Sequence, residues 1–173
     1  MDHLAPVLET VRRLRASLPA EKTLIGFCGA PWTVATYMLD GQARTIGKGE
    51  RAQARTYAYA DPERVDETLE VLVEATARYL KMQADSGAQV LKIFESWAEG
   101  LPDDLFDRLV LKPHQALVRR VRELGVTTPL IGFPRGSAAL AERYAREVEV
   151  QGVALDTACP LPVGQAVQKI KTI

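Results

Sequence analysis

Histidine and cysteine are nearly missing from this sequence: His3, His114, Cys28 and Cys159 are the only four among 173 residues. They lie far apart and form no CxxC pair, so little is available from which to assemble a metal centre. The same two cysteines exclude a disulfide framework and fit a reducing compartment. Charge of one sign is lacking too, because 22 basic side chains are matched by 22 acidic ones. No global field therefore favours nucleic acid or an anionic membrane, and an anionic ligand must rely on a few local Arg or Lys. No apolar run approaches the roughly 18 residues that a membrane-spanning helix requires. Met1–Pro6 lacks the basic segment and apolar core of a secretion signal. The expectation is a soluble, cytoplasmic protein without nucleic-acid or membrane partners. Residues that are 47% hydrophobic and 25% charged suit an ordinary globular core, here expected as one domain over 1–173.

Four short apolar runs are each followed by turn residues: Thr23–Phe27, Ala88–Phe94, Pro129–Phe133 and Gly152–Asp156. Runs of this length bounded by Gly and Pro predict strands buried on both faces, as in a parallel sheet. Helices are predicted between them. Leu8, Val11, Leu14 and Leu18 are spaced for one helix face. Asp61 before Pro62 is an N-cap followed by a proline at the first helical position. From there Val65, Leu69, Leu72, Thr76, Tyr79 and Leu80 keep a helical period as far as Gly87. Pro102–Leu124 is periodic as well, with Pro113 expected to break or kink it. Ser137 is expected to cap a helix running to about Val148, and another helix begins at Pro162. Gln42–Glu50, flanked and interrupted by Gly41, Gly47 and Gly49, reads as an exposed lid or binding loop.

One helix followed by four strand–helix repeats means an α/β fold with a parallel sheet and right-handed crossovers. The pattern fits an open doubly wound sheet of four or five strands. It fits equally a portion of a (β/α)₈ barrel, which needs eight strands and about 250 residues.

Leu24–Met38 (LIGFCGAPWTVATYM) and Gly87–Ala98 (GAQVLKIFESWA) carry the most specific signal, with Ile131–Gly136 (IGFPRG) and Gly152–Asp156 (GVALD) in support. In sequence, order and spacing these closely resemble the uroporphyrinogen decarboxylase family, and the resemblance runs over essentially the whole chain. It implies a partial (β/α)₈ barrel, entered about a third of the way through the fold and left after about four strands. The family's arginine-rich loop, its catalytic aspartate, its GN(L/V)DP motif and a substrate-binding histidine have no counterpart here.

The resemblance implies conversion of uroporphyrinogen III to coproporphyrinogen III by decarboxylation of four acetate side chains, without metal, flavin or pyridoxal phosphate. Matched position by position, Tyr37 corresponds to the family's active-site tyrosine and Ser96 to a small hydroxyl residue that contacts substrate. No catalytic residue is assigned within these 173 residues, and activity of the chain alone is not expected. Phe27 and Phe94 are either core residues or an apolar wall for pyrrole rings. Arg135 is either a solvated surface residue or a forked ligand for a substrate carboxylate. Gly26 and Gly29 are expected to let a flat macrocycle approach the backbone, and Asp156 to orient Arg135 or cap a helix. Ile25, Phe27, Leu91, Ile93 and Ile131 are expected to face the barrel interior. The resemblance also implies a homodimer for the full-length protein. Two alternatives remain: a related zinc-dependent barrel methyltransferase, or a non-catalytic association module.

Overall fold

A computed structural model describes residues 2–40 and 52–171. The loop expected at Gln42–Glu50 lies outside the described residues. Four strands form one sheet: β1 (Ile25–Gly29), β2 (Val90–Glu95), β3 (Leu130–Pro134) and β4 (Gly152–Val153). All are parallel and adjacent in chain order, β1-β2-β3-β4. Between them run α1 (Ala5–Ser17), α2 (Pro31–Asp40), α3 (Ala52–Ala60), α4 (Pro62–Asp85), α5 (Asp103–Phe106), α6 (Lys112–Glu123), α7 (Ala141–Glu147) and α8 (Leu161–Ile170).

Burial alternates along the strands with period two. Gly26 and Cys28, Leu91 and Ile93, and Leu130 and Gly132 are buried under the helices. The opposite face carries Ile25, Phe27, Val90, Lys92, Phe94, Ile131 and Phe133, and it is open: Phe27 is 62% exposed. A sheet in sequential order with helices on one face is wound in a single direction. A doubly wound sheet reverses its strand order and carries helices on both faces. The architecture is therefore that of about half a (β/α)₈ barrel, seen with its interior face uncovered.

Two expectations are corrected here. The strands are not buried on both faces in these residues. Leu91 and Ile93 do not share a face with Phe27, because the register pairs Phe27 with Lys92 and Cys28 with Ile93. An offset of one residue moves a side chain to the other face of the sheet. Leu91 and Ile93 are fully buried against the helices.

The helices largely follow their sequence cues. Asp61 accepts a hydrogen bond from the Arg64 amide at 3.2 Å, with Pro62 opening α4. The α4 stripe of Val65, Leu69, Thr76, Ala77 and Leu80 is buried. Pro113 does not break its helix. Instead Asp107–Leu111 widens into a π turn between α5 and α6, and the Lys112 amide reaches back to the Asp107 carbonyl. Proline lacks a donor and its ring crowds the carbonyl four residues earlier, and one wider turn accommodates both effects. Ser137 does not cap a helix; its hydroxyl donates to the Pro134 carbonyl at 2.6 Å, and α7 follows a short 3₁₀ turn at Ala138–Leu140.

Gly132 has a packing role. A Cβ at this position would collide with the Tyr144 hydroxyl and ring. Its absence lets fully buried Tyr144 lie directly beneath β3.

Candidate functional site

The C-terminal ends of the strands gather the sequence-named residues on one rim. Phe27 of β1 and Phe94 of β2 meet edge to face, with ring centroids 5.9 Å apart. Phe94 meets Phe133 of β3 in the same way at 5.8 Å. Such edge-to-face pairs are a favoured arrangement of aromatic quadrupoles. The result is a continuous row of three rings on the open face, to which sequence reading contributed Phe27 and Phe94 but not Phe133. Lys92 was missed as well. Its ammonium sits 4.6 Å from the Phe94 centroid and 4.9 Å from that of Phe133.

Tyr37 lies in α2, 49% exposed, with its ring edge-on to Trp97 at 6.0 Å. Trp97 follows Ser96 in the turn after β2, so Tyr37 and Ser96 are brought to the same part of the rim. Arg135 is exposed in the turn after β3, and its amide donates to the Glu95 carbonyl at 3.0 Å. Asp156 caps no helix. Its carboxylate accepts from the Gly136 amide at 2.7 Å and the Ala158 amide at 3.0 Å, tying the turn after β4 to the turn that carries Arg135. The Gly136 amide is the main reason its carboxyl is held below the usual range.

Packing explains the missing side chain of Gly26. Its missing Cβ faces Gln83, Ala88 and Leu91 on the helix-covered side, within 2.8–3.0 Å. The absent side chain lets α4 come close enough for the Gln83 amide to bind Phe27, accepting from its N–H at 3.0 Å and donating to its carbonyl at 2.9 Å. Gly29 has the same kind of neighbour in Val34, at 3.2 Å.

The rim is anchored from below by groups that sequence reading did not assign. Glu95 ends β2 on the helix side and is fully buried. Its carboxylate accepts from the Thr33 hydroxyl at 2.6 Å, the Thr33 amide at 3.2 Å and the Trp97 amide at 3.0 Å. The Thr33 hydroxyl accepts in turn from the Ser96 amide at 2.8 Å. Below Glu95 lies buried His114, whose Nε2 is 3.9 Å from the carboxylate and makes no hydrogen bond. Its Nδ1 is 2.6 Å from the Tyr144 hydroxyl. Burial, then the neighbouring Glu95 charge, pushes the Tyr144 phenol far above its ordinary value. It stays protonated. The one sequence cue was an acidic residue directly after a buried apolar run.

Among the described residues, no group of three or more His, Cys, Asp or Glu side chains is placed to hold a metal ion. Cys28 is buried under the sheet, and burial pushes its thiol well up, which disfavours the thiolate that metals bind. No helix among the described residues is long and apolar enough to cross a membrane. A hollow of about 630 Å³ lined by Val153, Leu155 and Val167 lies beside α8 and includes none of the rim residues.

These features define a chain of the α/β barrel class whose candidate site is the rim formed by its strand ends. Comparison with known proteins is more specific. The family model described as "Uroporphyrinogen decarboxylase (URO-D)" matches residues 1–173. A uroporphyrinogen decarboxylase of Caulobacter vibrioides is 55% identical over 170 residues, 98% of this chain and 47% of the relative. One of Phenylobacterium zucineum is 54% identical over 165 residues, 95% of this chain and 46% of the relative. The chain belongs to the uroporphyrinogen decarboxylase family, and it spans about half the length of the curated relatives it matches. Among solved structures, a methyltransferase from Methanosarcina mazei superposes with a TM-score of 0.58 over 95% of this chain and 63% of its own, at 13% identity. At that identity the likeness concerns the fold alone.

Proposed function

We propose that these residues form part of the substrate site of a uroporphyrinogen decarboxylase that converts uroporphyrinogen III to coproporphyrinogen III. The observation that carries this reading is the 55% identity to a named uroporphyrinogen decarboxylase over 98% of the chain. The rim geometry supports it chemically. The row of Phe27, Phe94 and Phe133 offers an apolar surface matched to pyrrole rings, and Arg135 offers a forked donor for a side-chain carboxylate. Tyr37 and Ser96 contribute hydroxyls from α2 and from the turn after β2, two segments joined by the Thr33–Glu95 bonds.

Decarboxylation begins when a pyrrole ring carbon accepts a proton. The C–CO₂⁻ bond of the acetate then breaks, its electrons move into the ring, and carbon dioxide leaves. A proton taken up at the side chain makes the methyl group, and the ring carbon releases its own. The ring is the electron sink, so the protein's task is to hold the substrate and to stabilise charge where it develops. We assign the binding part of that task to Tyr37, Ser96, Phe27, Phe94 and Arg135, and the proton-handling part to residues outside this chain. No cofactor is required by this route. The proposed setting is a cytoplasmic homodimer of the full-length protein.

The test joins these 173 residues to the remaining segments of the Caulobacter vibrioides relative and assays uroporphyrinogen III chromatographically. Coproporphyrinogen III should form, and it should form after extensive chelation and without added flavin or pyridoxal phosphate. A folded chimera that forms no product would overturn the reading. Strict zinc dependence with thiol methylation would favour the methyltransferase class.

A further inference from the structure

Lys92 is the one charged side chain on the described part of the interior face of the sheet. Its neighbours there are Ile25, Phe27, Val90, Phe94, Ile131 and Phe133, all apolar. In register it stands between Phe27 of β1 and Ile131 of β3. Its ammonium does not stay at that level. It reaches the Phe94 and Phe133 rings, one step nearer the C-terminal rim, at 4.6 and 4.9 Å from their centroids. The two ring faces orient the cation without neutralising it, because a cation–π contact leaves the full charge in place.

Nearby carboxylates are committed elsewhere. Glu95 points to the opposite face of the sheet, where Thr33 and the Trp97 amide occupy it. Asp156 is taken by the Gly136 and Ala158 amides. Among the described residues, Lys92 has no acidic partner within ion-pair distance. An ammonium on an apolar barrel interior is costly unless an anion meets it. A flat ligand lying on the three rings and bearing carboxylate arms would supply that anion.

We propose that Lys92 binds a side-chain carboxylate of the oligopyrrole inside the barrel, as a second and deeper cation than Arg135 at the rim. The inference rests on the decarboxylase reading and extends it: two cations at different depths would read the number and placement of carboxylates on the ligand.

The test uses the full-length chimera and two stable fluorescent probes, uroporphyrin III with eight carboxylates and coproporphyrin III with four. Lys92→Met keeps the aliphatic stem and removes the charge, whereas Lys92→Arg keeps the charge. Lys92→Met should weaken uroporphyrin binding about tenfold or more at low salt and make affinity less salt-dependent, as expected for a lost charge-assisted hydrogen bond. Lys92→Arg should recover most of that loss, and the thermal midpoint of both variants should stay near that of the parent. Parent-like uroporphyrin affinity in Lys92→Met would overturn the proposal and leave the decarboxylase reading intact. So would a loss that tracks destabilisation and is not recovered by arginine, because Lys92 would then be structural. A parent chimera that binds neither porphyrin would sink both readings together.

Discussion

Thr33 and Glu95 bind each other twice. The Thr33 hydroxyl donates to one carboxylate oxygen at 2.6 Å and the Thr33 amide to the other at 3.2 Å. The same hydroxyl accepts from the Ser96 amide. A buried carboxylate thereby joins the helix that carries Tyr37 to the turn that carries Ser96.

Replacing Thr33 by Val preserves shape and removes the hydroxyl, leaving the Ser96 amide unpaired and one carboxylate oxygen with the Trp97 amide alone. A loss of about 1–3 kcal/mol in urea unfolding is expected, since buried polar groups left unpaired carry their desolvation cost. Thr33→Ser should recover most of it. An unfolding midpoint unchanged by Thr33→Val would mean the clamp contributes nothing.

Tyr37→Phe keeps the ring against Trp97 and removes a hydroxyl. In the full-length enzyme, turnover should fall by the equivalent of about 2–4 kcal/mol, the usual cost of one positioned transition-state donor. Stability should fall by less. Ser96→Ala should be milder, because water replaces a hydroxyl readily at a wet site. Parent-like turnover in Tyr37→Phe would return this residue to a packing role.

Glu74 on α4 accepts from Arg120 on α6 and from Arg78, and these guanidiniums hold its carboxyl at about 2 against an ordinary 4.5. The folded value lies below the unfolded one. The stabilisation is therefore complete above pH 4.5 and is lost as pH falls from 4.5 towards 2. The groups are solvent-accessible, so salt should screen the effect. Glu74→Gln should flatten the stability–pH curve within that window, and 1 M salt should shrink the difference from the parent. Superimposable curves at low salt would rule out a stabilising role for the pair.

The isolated 173-residue polypeptide leaves Ile25 and Phe27 largely exposed and β1 at a sheet edge. Gln83 covers the Phe27 backbone groups along that edge, but the apolar face stays open. Each large side chain left in water forgoes about 1.5–3 kcal/mol, against a typical net stability of about 5–15 kcal/mol. Self-association and binding of a hydrophobic dye are expected, and Phe27→Gln should reduce both in sedimentation and fluorescence experiments. A compact, cooperatively unfolding monomer that ignores the dye would contradict this.

The order of elements, the Asp61–Pro62 helix start, the strand-end motifs and the family were legible in the sequence, because each rests on neighbouring residues or on a long continuous match. Which face each strand residue takes was not. A run such as VLKIF is apolar on both sides of its alternation, and only pairing with strands from distant parts of the chain sends Leu91 under the helices and Lys92 to the open face. The strand–helix pattern alone left a doubly wound sheet and a barrel open; the family resemblance implied the barrel, and strand order and the side on which the helices lie bear it out. The clamp below the rim depended most on tertiary structure. Thr33 and Glu95 are 62 residues apart and His114 and Tyr144 are 30 apart. The sequence by itself determined which groups are present. Only the packing of α2, α6 and α7 beneath β2 and β3, with Gly132 leaving room for the Tyr144 ring, brought them within hydrogen-bonding reach.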